Sequence, residues 1–202
     1  MNKKVWLAVA MVAVFAVSRW PGLTPPNFSP AYAIAFCAGL YLPGAVGWYG
    51  TLVVMAVLSC ILQFVFYRSV GSSWPQFLAT EAGYALLIGL GRWLGRRRSF
   101  ATLLGGGLLG AILFYLVTNI ASWLYLDYPK TLAGLIQALT GGMPGYPSTW
   151  EFFRNTLLSG GLFTGLFVGA MKFTEASESK QEKEAPEAEP LPVGEEEEEA
   201  EA

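Results

Sequence analysis

Residues Thr118–Phe167 read TNIASWLYLDYPKTLAGLIQALTGGMPGYPSTWEFFRNTLLSGGLFTGLF. The stretch begins near the end of one apolar run and finishes inside the next. Between the two lie groups that a simple apolar frame does not require: Asn119, Asp127, Tyr128-Pro129, Gln137, Gly141-Gly142, Glu151, Arg154 and Asn155. The rest of the chain reads as the frame that would hold this segment at one surface.

The composition agrees with that division. The 202 residues are 53% apolar and 14% charged, with 23 glycines and no histidine. Soluble domains carry about 25% charged residues, so the repeated apolar stretches point to a membrane protein. Charge is split along the chain. Before Glu175 there are 11 basic residues and 3 acidic ones (Glu81, Asp127 and Glu151); from Glu175 onward there are 12 acidic residues and 2 lysines. Residues 1–173 therefore read as one membrane domain and 174–202 as an acidic tail. That tail lacks aromatic residues and cannot bury enough apolar area to offset its ordering entropy, so it is expected to be disordered.

Working outward, apolar runs mark six expected spans. The first follows Lys3 and Lys4 and covers Val5 to Val17, continuing through Trp20. Its Ala16-Val17-Ser18 also fits a signal-peptide cleavage pattern, but a retained span is the preferred reading. Four prolines between Pro21 and Pro30 exclude a continuous helix there. Ser29-Pro30 supplies a helix cap and first residue for a second span, Ala31 to Leu42. The third covers Ala45–Tyr67, after which Ser69–Gln76 is read as a loop. Spans four, five and six cover Phe77–Leu94, Phe100–Trp123 and Phe152–Met171. Lysine and arginine favour the side bearing Arg92, Arg96, Arg97, Arg98 and Lys172, which sets both termini in the cytoplasm of a bacterial inner-membrane protein. Thr131–Leu139 is too short to cross a bilayer and reads as a helix on the outer surface, between helices five and six.

The polar residues then gather at one level. Glu81 falls near the start of span four, Asn119 in the outer part of span five, and Asn155 early in span six with Arg154 beside it. Ionisable and carboxamide groups inside an apolar span usually face protein or water. Trp123 and Tyr128 serve either as an interfacial aromatic belt or as rings facing a cavity. Arg19 and Asn27 lie in the proline-rich loop that would close over it. Glycines 161, 165 and 169 are four apart and favour tight helix packing.

Chemistry has little support. Cys37 and Cys60 lack metal-like spacing and read as packing residues, and no metal, cofactor or nucleotide motif is present. Asp127 and Glu151 have no nucleophile or metal set around them, so an enzyme is not expected. The basic residues flank the apolar runs, which explains them without nucleic acid.

Arg19, Pro25, and Asn27-Phe28-Ser29-Pro30 before a short alanine-rich helix form one half of a pattern. Thr118-Asn119, Trp123, Tyr128-Pro129, Thr131, Gly134-Leu135 and Phe152-Phe153-x-Asn155-Thr156-Leu157 form the other. Over residues 4–172 the chain resembles an uncharacterised bacterial integral membrane family grouped with the substrate-binding S components of energy-coupling factor (ECF) transporters. That resemblance implies an all-α bundle of six transmembrane helices holding a small solute near the outer face. It also implies a coupling membrane subunit and ATP-binding subunits as partners. The first span departs from it, because Ala8, Ala10, Ala13 and Ala16 make no alanine pair four apart. The resulting expectation is solute binding for uptake, with Arg19, Asn27, Glu81, Asn119, Trp123, Tyr128, Arg154 and Asn155 at the site. The alternative is a structural or assembly protein of the membrane without transport.

Overall fold

The computed structural model describes residues 3–18, 22–61 and 74–184. Every regular element among them is helical: α1 (Lys3–Ser18), α2 (Ala31–Tyr41), a π-helical turn (Val46–Gly50), α3 (Thr51–Ile61), α4 (Trp74–Leu94), α5 (Phe100–Tyr125), α6 (Leu132–Leu139) and α7 (Thr149–Glu184).

The centre is α2. All eleven of its residues are buried, as expected of a helix that is apolar on every face. Its start is set by Ser29, whose Oγ accepts the Ala31 amide at 3.2 Å. Its end is set by Pro43, which drives Leu42 into an extended conformation. Helices α4, α5, α7 and α1 surround it.

Glycine permits this packing. A Cβ on Gly39 would collide with the Ile88 carbonyl of α4, and a Cβ on Gly91 would collide with the Phe36 carbonyl of α2. The two backbones touch at both places, so an added carbon at either has to push them apart. Between α5 and α7 the same role falls to Gly107, opposite Thr164, and to Gly160, whose added Cβ would lie 2.9 Å from that of Ala111. Glycines 106 and 107 are thus buried packing residues within a continuous helix. Gly161 and Gly165 face Leu108 and Leu104 of α5. The stripe therefore packs within the chain.

Where α2 gives way to the π turn, Arg92 at the end of α4 donates to the Gly44 carbonyl. Its guanidinium also lies 5.9 Å from the Trp48 ring. Arg92 is a clamp between α4 and the Pro43–Gly50 corner as well as a member of the basic cluster.

The six-span bundle is not what forms. Among the described residues two helices are long and apolar enough to cross a membrane, Phe100–Tyr125 and Thr149–Lys180. A span needs about 20 residues. Helix α2 has 11, α3 has 11 and α1 has 16. Helix α4 has 21 but carries Gln76, Thr80, Glu81 and Arg92 among its apolar residues. The chain is an all-α protein of seven described helices. The polytopic six-helix bundle, the ECF S-component-like transporter architecture and the multi-pass inner-membrane placement with both termini cytoplasmic are overturned with it. Two boundaries also differ. Helix α4 starts at Trp74, which turns Gln76 from a loop residue into a helical one. Helix α7 continues through Glu184, past Thr174 where disorder was expected to begin. Residues 62–67 of the third expected span and 185–202 of the tail lie outside the described residues.

Substituting Gly91→Ala forces two backbones apart, and overpacking of this kind costs about 1–3 kcal/mol. Thermal unfolding of the purified chain should show a lower midpoint for Gly91→Ala. Gly105→Ala, at a helical position with open space around it, should keep or raise the midpoint, because alanine is the better helix former. Equal midpoints for the two variants would remove the proposed contact.

Candidate functional site

At the end of the bundle where α5 finishes and α4 and α7 begin, the helices part around a cavity of about 660 Å³. Volumes of roughly 300–1,000 Å³ are typical of small-molecule sites.

Three rings make its floor. Phe114 of α5 stacks on Tyr84 of α4, with centroids 5.0 Å apart and planes 26° apart. It meets Tyr32 of α2 edge-on at 4.9 Å. Gly83 fixes the Phe114 ring, since a Cβ there would stand 2.6 Å from Phe114 Cδ2. The glycines that let the helices close thereby place the floor as well.

One wall is a polar ladder between α4 and α5. Gln76 Nε2 donates to the Thr118 carbonyl at 3.4 Å, and Ser122 Oγ donates to Gln76 Oε1 at 3.2 Å. Thr80 donates back to the Gln76 carbonyl at 2.9 Å. Asn119 Nδ2 donates to the Tyr115 carbonyl at 2.8 Å, which leaves its Oδ1 as an acceptor. Gln76 and Thr80 are four apart, as are Thr118 and Ser122, so each pair shares a helix face. That spacing was the sequence signal for this wall. It passed unread because Gln76 was assigned to a loop and lone hydroxyls in apolar helices bond their own backbone as readily as anything else.

The roof comes from two loops, Gly22–Ser29 and Gly142–Pro147. The first contains Asn27 at φ 60°, a left-handed conformation that asparagine tolerates better than most side chains. Tyr32 donates its hydroxyl to the Asn27 carbonyl at 3.2 Å, and Asn155 Nδ2 of α7 donates to the Pro26 carbonyl at 2.9 Å. The second loop is held by a reciprocal pair, in which Gly142 N donates to the Gln137 carbonyl at 2.8 Å and Gln137 Nε2 to the Gly142 carbonyl at 3.1 Å.

The turn after α5 positions Tyr128. Lys130 Nζ donates to the carbonyls of Trp123 at 2.7 Å, Leu126 at 2.7 Å and Tyr128 at 3.1 Å. This satisfies carbonyls that a helix end leaves open and places a cation at the negative end of the helix dipole. Trp123 Nε1 donates to the Pro129 carbonyl at 2.9 Å and closes the turn. Tyr128 is buried and lines the cavity, and burial pushes its phenol up, so it remains a neutral donor and acceptor near pH 7. Helix α6 is capped by Thr131, which accepts from the Gly134 amide at 3.2 Å, and is held to α5 by the Tyr115 hydroxyl donating to the Leu139 carbonyl at 2.5 Å.

The eight expected site residues divide accordingly. Asn27, Asn119 and Tyr128 line the cavity. Asn155 is buried and holds the roof from behind; Trp123 holds the turn. Glu81 is half-buried on α4 and Arg154 is exposed with its Nε 3.4 Å from Asn155 Oδ1; neither lines the cavity. Arg19 lies outside the described residues. The lining residues beyond the expected set include Tyr32, Gln76, Thr80, Tyr84, Phe114 and Ser122. No group of three or more acidic or cysteine side chains suited to a metal occurs among the described residues.

The fold and site define an all-helical protein, among the described residues, with an aromatic-floored cavity at one end. The chain belongs to a family of unknown function, DUF6580, whose family model matches residues 1–184. No curated protein and no solved structure matches it.

Replacing Asn155 by alanine frees the Pro26 carbonyl, a loss of about 1 kcal/mol. The Phe28 amide, which closes the roof turn on the Pro25 carbonyl at 3.0 Å, should then exchange with deuterium severalfold faster, while amides in α2 keep their protection. Unchanged exchange at Phe28 would show that Asn155 does not hold the roof.

Proposed function

We propose that the protein binds a small solute in the cavity between the α4–α5 ladder and the Gly22–Ser29 roof. The observation that carries this reading is the combination of an aromatic floor with a wall of convergent hydroxyl and carboxamide groups in one cavity of small-molecule size. Such a pairing of apolar surface with a few placed polar groups is the common form of ligand sites. Packing alone does not call for it, because a cavity of this size loses dispersion contacts on every side.

Binding would orient the solute rather than transform it. The wall offers donors and acceptors through Gln76, Thr118, Asn119 and Ser122, and Tyr128 faces it from the α5 turn. None of these has a base or a charged partner against it that would activate it as a nucleophile.

The test is retention. The full-length chain is purified, its bound small molecules are released by denaturation, and they are compared by mass spectrometry with those from Thr118→Val/Ser122→Ala. The wild-type chain is expected to hold at least one compound that the double variant holds at least tenfold less. Identical extracts from two equally folded proteins would sink the proposal.

A further inference from the structure

The lining of the cavity carries a statement about ligand class. No aspartate, glutamate, lysine or arginine is among the described residues that line it. Of the described charged groups nearby in sequence none lines the cavity: Asp127 and Glu151 are exposed, and Glu81 is half-buried on α4. The Lys130 ammonium is held by three carbonyls, Arg154 is exposed beside Asn155, and Arg92 grips Gly44 at the opposite end of α4. Arg96, Arg97, Arg98 and Lys172 also lie at that far end, where Lys172 Nζ donates to the Arg96 carbonyl at 2.9 Å. A helix of 26 residues separates the two ends, about 39 Å at 1.5 Å per residue.

Helix ends do not supply the missing charge. The N-termini of α2, α4 and α7 face the cavity, but so do the C-termini of α1 and α5, and their dipoles oppose one another. The leading amides are also used. Ser29 accepts from Ala31 at 3.2 Å, and Trp150 N donates to the Thr140 carbonyl at 2.9 Å. Bringing a net charge into such a site strips its hydration without providing an opposite charge, which is strongly unfavourable.

The groups present suit a neutral partner. Gln76 and Asn119 each carry one donor and one acceptor function on a single planar amide, and the hydroxyls of Thr118 and Ser122, which donate to carbonyls of their own helix and to Gln76, keep lone pairs that accept. They lie along one side, while Phe114 offers a ring held between Tyr84 and Tyr32. A flat ring stacks on or packs edge-on against such a floor and gains beyond simple area burial.

We infer that the solute is an uncharged molecule with a flat ring body and hydrogen-bonding groups along one edge, seated with the ring on Phe114 and the edge toward Gln76, Asn119 and Ser122. This rests on the solute-binding reading above.

The compound released from the wild-type chain is run by capillary electrophoresis at pH 7 with ultraviolet detection. It is expected to move with the neutral marker and to absorb as an unsaturated ring. Gln76→Glu, which keeps the side-chain shape and adds a charge to the wall, should retain it at least tenfold less, whereas Arg97→Gln, at the far end of the bundle, should retain it fully. A compound that migrates as an anion or cation, or undiminished retention in Gln76→Glu, overturns the uncharged class and leaves solute binding standing. Absence of any compound that the wild-type chain holds and Thr118→Val/Ser122→Ala loses overturns solute binding itself.

Discussion

Two helix backbones in direct contact set the geometry of this protein. At Gly39 and at Gly91 there is no room for a single added carbon, because each faces a carbonyl of the other helix. Helix α2 is therefore fixed against α4 along its length, and its remaining faces are covered by α1, α5 and α7. From that contact the cavity follows. Tyr32 at the start of α2 and Tyr84 on α4 are brought to one depth, and Gly83 leaves the space into which Phe114 of α5 fits. The floor is thus a consequence of how closely α2, α4 and α5 pack.

The polar wall depends on a second constraint, the way α5 ends. Its last carbonyls would face the turn without partners, and Lys130 folds back to take three of them. This brings Tyr128 over the cavity and starts α6 at Thr131. The one cation near the mouth, among the described residues of that turn, is thereby consumed in building the frame. A neutral interior and a charged exterior end are two results of the same arrangement.

Local chemistry was well recorded in the sequence. The Ser29 cap, the short helix after Thr131 and the Ser148 cap of α7 all follow from residue type and position, since each satisfies amides within a turn of itself. Asn27, Asn119 and Tyr128 were legible as cavity residues because a carboxamide or phenol in an apolar setting needs a partner. Number and role of the long helices were not legible. An apolar run records that a helix is covered, but not whether protein or lipid covers it. Ala31–Tyr41 is apolar because it lies inside other helices. Gln76 and Ser122 were missed for a related reason: their partner is each other, 46 residues apart. Trp123 and Asn155 hold Pro129 and Pro26 of the loops, and in sequence a side chain that holds a loop looks like one that holds a ligand.

The two hydrogen bonds that reach Pro26 and Asn27 separate the roof from the frame energetically. At about 1 kcal/mol each, they act with the edge-on contact of Phe28 with Phe163 of α7 and the Thr24–Ser18 hydrogen bond in tying the roof to the frame. Opening this flap does not disturb the glycine contacts of α2 and α4, whose loss would accompany global unfolding. The hold on the roof and the lifetime of the fold are therefore set by different bonds. Sequence drift can retune the first through residues such as Asn155 while the second stays where Gly39 and Gly91 put it.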